Sequence, residues 1–298
     1  MVLKHSVLKD NDLSHKRTYL RPRSGWSSVD LKSLWETRDL LWMLAWRDIQ
    51  VQYKQTFFGF AWAIIVPFVQ IVVFTIFFGK LLGVGDKIDE VAERQIPYPL
   101  FALSGQVIWN CFSSGVTGAS NGLLANAAIV RKVYVPRLAL PLAGLGKPTL
   151  DALIASVFLY VLAAWYAGVP DNDVWLSYKL PLTIIFLAAS LIPALAMGMI
   201  FAAITVFYRD LKLVLPFLLQ ILFYATPVIY PAELVPDQYR WLLFVNPAGG
   251  FVSAHRACVL DLPINWLGVI LSMVVSVALL IFGTLFFTRA ERHFADVA

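Results

Sequence analysis

The sequence predicts an all-α, polytopic membrane protein with six transmembrane helices per protomer. Of its 298 residues, 59% are hydrophobic and only 14% are charged, and the mean hydropathy is +0.71. Soluble domains are about 45–50% apolar and about 25% charged. The apolar residues are gathered in runs that suffice for a bilayer, which takes about 20 residues in a helix. Residues 1–30 are polar and basic and lack the apolar core of a signal peptide.

The order of the elements follows from where polar and apolar stretches alternate. A polar, basic tail over residues 1–32 is followed by an amphipathic helix at 33–56, a membrane domain at 57–290 and a cytoplasmic tail at 291–298. The predicted spans lie at about 58–82, 98–125, 148–169, 178–207, 213–231 and 264–288.

The distribution of Lys and Arg orients the chain, because cytoplasmic loops are enriched in both residues. With the N-terminus inside, 18 of the 24 basic residues fall in the tails and cytoplasmic loops. The outer loop at 84–97 is mildly acidic instead. We therefore expect both termini to lie in the cytoplasm.

The amphipathic helix at 33–56 begins at a capping box, Ser33 to Glu36. Beyond it, charged residues and Trp or Tyr residues recur on opposite faces every three or four positions. Tryptophan at this depth and basic residues on the polar face are typical of a helix that lies in the membrane interface. The alternative is a helix that packs on a cytoplasmic core, but too little cytoplasmic chain is present to build one. Gly59 is where the chain turns to cross the membrane.

The segment at 232–262 is too polar to cross the membrane and too apolar for a free loop. Two short apolar helices, broken at Asn246-Pro247, fit it best. Helices this short are typical of re-entrant or interfacial segments, so we expect an outer re-entrant helix pair between spans five and six.

Several kinds of chemistry are excluded by what the spans contain. The stretch "PLAGLGKPT" resembles part of a P-loop, but Pro141 and Pro148 stand where that motif needs Gly and Ser or Thr. Cys111 and Cys258 have no metal-site or disulfide spacing. Asp151 lies about one turn inside span three and Lys179 at the start of span four; neither is deep, so the spans offer no buried charge for ion coupling. The chain thus encodes no nucleotide or metal site, and any energy must come from elsewhere.

Uncharged polar and aromatic groups are left as candidates for a pore. Span two is rich in Ser, Asn and Gly, with Gly118 and Gly122 in GxxxG spacing; either helix packing or substrate contact explains it. Aromatic residues recur at helical spacing on spans one and five. Such rings can line a substrate path, since aromatic faces bind the C–H surfaces of sugars, or they can contact lipid or pack in the core. The pore-lining candidates are Phe60, Phe68, Phe74, Phe78, Phe217, Gln220, Phe223 and Tyr224.

A short basic loop, "IVRKVYVPRLALP" at 129–141, joins spans two and three on the cytoplasmic side. Anionic lipid would attract it, and so would an acidic groove of a partner protein. A merely solvated loop is the third possibility.

Four stretches together resemble the permease of a type-2 ABC transporter, in its polysaccharide-exporter branch. They are "RDLLWMLAWRDIQVQYKQTFFGFAWAIIVPF", "IVRKVYVPRLALP", "FYRDLKLVLPFLLQILFYATPVIYP" and "LFVNPAGGFVSAHRA". They are similar, in this order, to that branch's interface helix and first span, its cytoplasmic coupling loop, its fifth span and its outer re-entrant helices. The resemblance covers roughly residues 30–290.

The resemblance implies a transport subunit of the bacterial inner membrane rather than an enzyme. It implies a homodimer with a pore between protomers and two copies of a separate ATP-binding subunit, which would hold ATP and Mg, so that this chain needs no cofactor. The substrate would be a lipid-linked glycan moved outward. Coupling to the partner would involve Arg131, Lys132, Tyr134 and Arg137, together with Arg47 and Lys54.

Alternatives stay open on substrate and on class. Exporters of O-antigen, capsule and teichoic acid look alike, and the basic tail and compact outer loops favour O-antigen. A type-2 permease for another substrate is also compatible. A membrane glycosyl- or acyltransferase would need a carboxylate pair or a His near a span end, and His255 stands alone beside Arg256. A stand-alone channel or carrier is disfavoured by the lack of charge within the spans.

Overall fold

The protein is helical throughout the residues that its computed structural model describes, which are 35–54, 59–126, 136–169, 173–175, 177–208 and 210–291. The α-helices in chain order are α1 Arg38–Tyr53, α2 Trp62–Phe74, α3 Val84–Ala92, α4 Tyr98–Ala125, α5 Ala139–Ala143, α6 Gly146–Ala167, α7 Leu180–Phe207, α8 Leu211–Tyr224, α9 Asp237–Val245, α10 Gly249–Val259 and α11 Trp266–Glu291. A π-helical segment, Thr75–Leu81, continues α2, and 3₁₀ turns occupy Gly59–Ala61 and Ala232–Leu234.

Helix α1 lies within the predicted interface helix at 33–56, and Gly59 lies at the start of the first membrane helix. Gly59 has a φ of 49°, in the left-handed region that glycine adopts without a steric penalty. On α1, Trp42 and Trp46 stack with ring centroids 6.0 Å apart and are both exposed, whereas Leu44 and Ile49 are buried. The predicted capping residue Ser33 and the tail before it lie outside the described residues.

Four helical stretches are long and apolar enough to cross a membrane: Trp62–Leu81, Ala139–Ala167, Leu180–Phe207 and Trp266–Ala290. They coincide with predicted spans one, three, four and six. The described part of the chain is therefore that of a multi-pass, all-α membrane protein. Helix α4 has 28 residues and would extend about 42 Å, but its polar residues keep it outside this apolar set.

The fifth predicted span is shorter than expected. We predicted a helix at 213–231, whereas α8 is apolar but ends at Tyr224. Pro227 and Pro231 explain the early end, because proline has no N–H to donate and disfavours helical backbone at the preceding residue. Residues 225–228 form turns instead.

Helix α4 lies at the centre of the molecule. It packs against α7, α6, α10 and α5, and every residue from 100 to 109 is buried. Its small residues permit these contacts: a Cβ on Gly122 would lie 2.5 Å from the carbonyl oxygen of Leu140 in α5, and a Cβ on Gly118 would meet the carbonyl oxygen of Gly144. The GxxxG spacing thus serves helix packing.

Helices α9 and α10 form the predicted short pair, with the chain broken at Asn246-Pro247. Polar groups of α11 satisfy the break: the Ser272 hydroxyl donates to the carbonyls of Phe244 and Asn246, at 2.8 and 3.0 Å, and accepts from the Gly250 N–H at 2.9 Å. The side-chain amide of Asn246 donates to Thr226 Oγ1 at 2.6 Å. Non-helical backbone away from water requires such partners.

The close approach at Gly122 predicts the effect of adding a single methyl group. Gly122→Ala would clash with the Leu140 carbonyl, and overpacking costs about 1–3 kcal/mol, more than the roughly 1 kcal/mol that alanine gains in helix propensity. We expect a lower thermal unfolding temperature for the purified protein. Gly168→Ala is the matched control, because its Cβ would lie 3.5 Å from the nearest atom, the Trp165 carbonyl oxygen. Equal unfolding temperatures for the two variants would contradict this packing.

Candidate functional site

A long polar groove runs along one face of α4. The stripe Gln106, Asn110, Ser113, Thr117 and Asn121 recurs every three or four residues and covers about 22 Å of helix. The groove encloses about 720 Å³. Helix α2 and helix α8 form its walls, and Gly144, Lys147 and Pro148 lie at one end with Asp48 of α1.

Three side-chain amides meet near the middle of the groove wall. Gln106 Nε2 donates to Gln70 Oε1 at 3.0 Å and to Asn110 Oδ1 at 3.2 Å, and Asn110 Nδ2 donates to Gln70 Oε1 at 3.4 Å. Gln106 is only 2% exposed, yet its Oε1 atom has no hydrogen-bond partner among the described residues. Leaving a buried acceptor unsatisfied costs about 1–3 kcal/mol. Among the described residues, Thr75, Arg240, Ser253 and His255 also have a buried side-chain atom without a partner, but of these five side chains only Gln106 lines the groove.

Aromatic rings flank the amide cluster. Phe223 of α8 stacks on Phe74 of α2, with centroids 5.9 Å apart, and meets Trp109 of α4 edge-on at 5.5 Å. All three rings line the groove. An apolar wall beside hydrogen-bonding amides is suited to a molecule with both C–H faces and polar groups, such as a sugar.

The predicted pore residues divide between the groove and other surroundings. Phe74, Gln220, Phe223 and Tyr224 line the groove. Phe68 packs edge-on against Phe158, Phe78 packs edge-on against Phe74, and Phe217 is exposed outside the groove lining. The side chain of Phe60 lies outside the described residues.

The α4 stripe was not among our pore candidates, although the sequence carried a signal for it. The three-to-four spacing of Gln106, Asn110, Ser113, Thr117 and Asn121 places all five on one helix face. The sequence left helix packing and substrate contact open for this span. Its glycines pack against neighbouring helices, and its polar face lines the groove.

The residues predicted to couple to a partner lie partly outside the described chain. Arg131, Lys132 and Tyr134 fall in the undescribed segment 127–135, and Arg137 is half-buried just before α5. Lys54 is exposed at the end of α1. Arg47 donates to Asp48 Oδ1 and to Asn126 Oδ1, both at 2.7 Å, which ties α1 to the end of α4.

A second contact joins α1 to α6. The Tyr53 hydroxyl donates to Asp151, which also pairs with Lys147 at 3.0 Å. Together the two contacts link α1 to the end of α4 and to α6, next to the groove residues Asp48 and Lys147.

The histidine considered for catalysis does not face the groove or solvent. His255 is fully buried in α10, where its Nδ1 lies 2.7 Å from the Ser104 carbonyl oxygen. Its neighbour Arg256 is also buried and donates to the carbonyls of Val228 and Phe101, at 2.5 and 3.3 Å. These side chains fix α10 to α4 and to the segment after α8.

A polar cluster closes the junction between α10 and α11. Asp261, whose φ is 53°, accepts hydrogen bonds from the Trp175 indole N–H and the Ser177 hydroxyl, both at 2.9 Å, and pairs with Lys179 at 3.0 Å. The bonds from Trp175 and Lys179, with that from Ser177, hold the pKa of Asp261 at about 2, below its ordinary 3.8. The cluster ties the loop before α7 to the end of the α9–α10 pair.

The lowered pKa predicts how the cluster responds to acid. Because the folded state prefers the ionised carboxylate, the stabilisation is present above pH 4 and is lost as the pH falls towards 2. Asp261→Asn is therefore expected to lower the thermal unfolding temperature at pH 7, with the difference from wild type shrinking between pH 4 and 2. Asp173→Asn, at an exposed position of the same loop, is the control. An Asp261→Asn deficit that stays constant over this pH range would refute the charge-based account.

Comparison with known proteins agrees with this architecture. Residues 39–260 match the ABC-2 type transporter family. The chain is 25% identical over 269 residues to the O-antigen export system permease protein RfbA of Klebsiella pneumoniae, covering 87% of this chain and 95% of that one. A Myxococcus xanthus protein of the same name is 26% identical over 230 residues, or 76% of this chain and 82% of its own length.

A further relative bears a different name. The polysialic acid transport protein KpsM of Escherichia coli is 26% identical over 216 residues, covering 72% of this chain and 78% of that protein. The family match extends from α1 through α10 and so includes every helix that lines the groove. The chain belongs to the ABC-2 type transporter family, as a membrane-embedded transport subunit and not an enzyme.

Proposed function

We propose that the chain is the transmembrane subunit of an ABC exporter that moves a lipid-linked polysaccharide outward across the bacterial inner membrane. O-antigen is the favoured substrate. The observation that carries the proposal is the α4 groove, which joins uncharged hydrogen-bonding groups to aromatic rings over a length of several sugar units. Relatives that bear the name of O-antigen export permeases, and cover most of both chains, support the substrate class.

The proposed architecture has six spans, with α4 and α8 joining the four apolar ones, and both termini in the cytoplasm. In this arrangement α9 and α10 form the outer re-entrant pair, and the groove is one half of a channel that a second copy completes. The exposed apolar positions on α2 and α8 beside the groove support such a dimer; they include Val66, Val69, Val73, Leu218, Ile221 and Tyr224.

The energy is proposed to come from two copies of a separate ATP-binding subunit, which would hold ATP and Mg. The P-loop-like stretch in the α5–α6 region lacks the Gly and the Ser or Thr that the motif needs, which supports binding of ATP by a separate subunit. The basic loop before α5 would dock on the partner, and α1 would carry its movement to the groove. The Arg47–Asn126 and Tyr53–Asp151 contacts supply the physical linkage for that step.

A capsular polysaccharide is the second candidate substrate, because the KpsM relatives are named for polysialic acid transport. A teichoic acid or another type-2 substrate fits the same architecture but has no relative among these to favour it. The charge of the glycan separates the first two candidates.

Loss of the chain from its native cell tests the proposed function. We expect surface polysaccharide to disappear while lipid-linked polysaccharide accumulates on the cytoplasmic side, because synthesis precedes export. Quantitative immunoblotting of intact and lysed cells distinguishes the two pools. The purified chain should show no ATPase activity until an ATP-binding subunit is added. Unchanged surface polysaccharide, or ATP turnover by the isolated chain, would overturn the proposal.

Charge reversal in the basic loop tests coupling. Replacing Arg131, Lys132 and Arg137 together by Glu should abolish surface polysaccharide while the complex still inserts in the membrane, since like charges would meet an acidic partner groove. ATP hydrolysis by the purified complex should become independent of transport. The matched control reverses three charges in the tail, at Lys4, Lys9 and Lys16, with the same change in cytoplasmic charge. Full export by the loop variant would exclude this loop as the coupling element.

A further inference from the structure

The amide cluster has hydrogen-bonding capacity that the protein itself leaves unused. The amide nitrogen of Gln106 donates one hydrogen bond to Gln70 and one to Asn110, while the buried amide oxygen of Gln106 has no partner among the described residues. Asn110 spends one N–H on Gln70, so one N–H of Asn110 and both of Gln70 are left over from these bonds. The cluster therefore combines one buried acceptor, Gln106 Oε1, with donors of the half-buried Gln70 and Asn110.

This combination identifies the chemistry of a complementary group. A ligand must donate one hydrogen bond to Gln106 Oε1 and accept others from neighbouring amides. A sugar hydroxyl does both, and so does an acetamido substituent through its N–H and carbonyl. A carboxylate cannot satisfy Gln106 Oε1, because an ionised carboxylate only accepts.

The distribution of charged residues around the groove also favours an uncharged ligand. The charged lining residues in the described part of the chain are Asp48 and Lys147, at the end away from the cluster. Lys147 is already paired with Asp151. The other lining residues of α2, α4 and α8 are uncharged. The buried Arg256 guanidinium of α10 lies beside Gly105 of α4 but donates to the carbonyls of Phe101 and Val228. An anionic unit at the cluster would therefore have no counter-charge in the lining, which is costly away from water.

We propose that Gln70, Gln106 and Asn110 form a binding subsite for one uncharged sugar unit, with the rings of Phe74, Trp109 and Phe223 beside it. The subsite rests on the proposed export function and deepens it by naming the substrate class: the chain carries a neutral glycan and rejects a polyuronic or polysialic chain. It therefore separates the two candidate substrates by charge.

Binding of short oligosaccharides to the purified protein in lipid nanodiscs tests the subsite without any transport. The probes are a β-1,4-linked glucose tetramer and a galacturonic acid tetramer, followed by saturation-transfer NMR and titration. The glucose tetramer should give a saturable signal, and the galacturonic acid tetramer should give none. Equal binding of the two probes, or binding of the anionic one alone, would overturn the proposal.

Variants locate the binding within the groove. Gln106→Leu removes the unsatisfied acceptor and should weaken binding of the glucose tetramer about three- to tenfold, the range for one neutral hydrogen bond. Gln95→Leu, at an exposed position outside the groove, should bind like wild type. Should Gln106→Leu fail to fold, Asn110→Ala tests the same subsite from a half-buried position. Wild-type affinity in both subsite variants would refute the assignment.

A gain-of-function variant tests the charge argument. Gln220 is exposed on the facing wall, so Gln220→Arg places a cation in the groove without disturbing the cluster. The galacturonic acid tetramer should then bind, while the glucose tetramer retains its affinity. Continued exclusion of the anion would show that charge is not what the groove selects against. Loss of surface polysaccharide on deletion of the chain, combined with absent tetramer binding, would refute the subsite and leave the export function standing.

Discussion

The structure depends on placing a polar helix at the centre of a membrane protein. Helix α4 carries amides, hydroxyls and glycines that lipid would not solvate, since unsatisfied polar groups in hydrocarbon cost several kcal/mol. Four neighbouring helices cover it, and its small residues let their backbones approach closely. The face that these neighbours leave uncovered is the groove. Packing and the candidate site are therefore two sides of one helix.

The need to give buried polar groups a hydrogen-bond partner also explains how the α9–α10 pair is held. The chain leaves the helix at Asn246-Pro247, and the hydroxyls of Ser272 and Ser276 on α11 reach the carbonyls of that break. Arg256 brings a buried cation to the carbonyls of Phe101 and Val228 and lies 3.7 Å over the Phe101 ring. These hydrogen bonds give partners to the carbonyls at the break and attach the pair to α11, to α4 and to the segment after α8.

Charge is distributed so that the middle of the groove stays neutral. Ion pairs collect where α1 meets α4 and α6, and again around Asp261 at the α10–α11 junction. Among the described residues, the groove lining apart from Asp48 and Lys147 is uncharged. The contacts of Arg47 with Asn126 and of Tyr53 with Asp151 lie at the α1 side of the groove.

The sequence by itself determined the helical class, the four apolar spans and the position of the turn at Gly59, because hydrophobic run length and glycine conformation are local properties. It also gave the break at Asn246-Pro247, and through its four motifs the family. The predicted span 213–231 was too long because it ran through Pro227 and Pro231, which disfavour helical backbone, whereas α8 ends at Tyr224.

Only the tertiary structure decided which polar residues meet. Gln70 and Gln106 are 36 positions apart, and Arg47 and Asn126 are 79 apart; no local pattern fixes such contacts. The aromatic stripes at helical spacing were equally compatible with packing and with a path, and the fold divided them, with Phe74 and Phe223 in the groove and Phe68 against Phe158. Periodicity shows that residues share a helix face, whereas only the positions of the neighbouring helices decide what that face contacts.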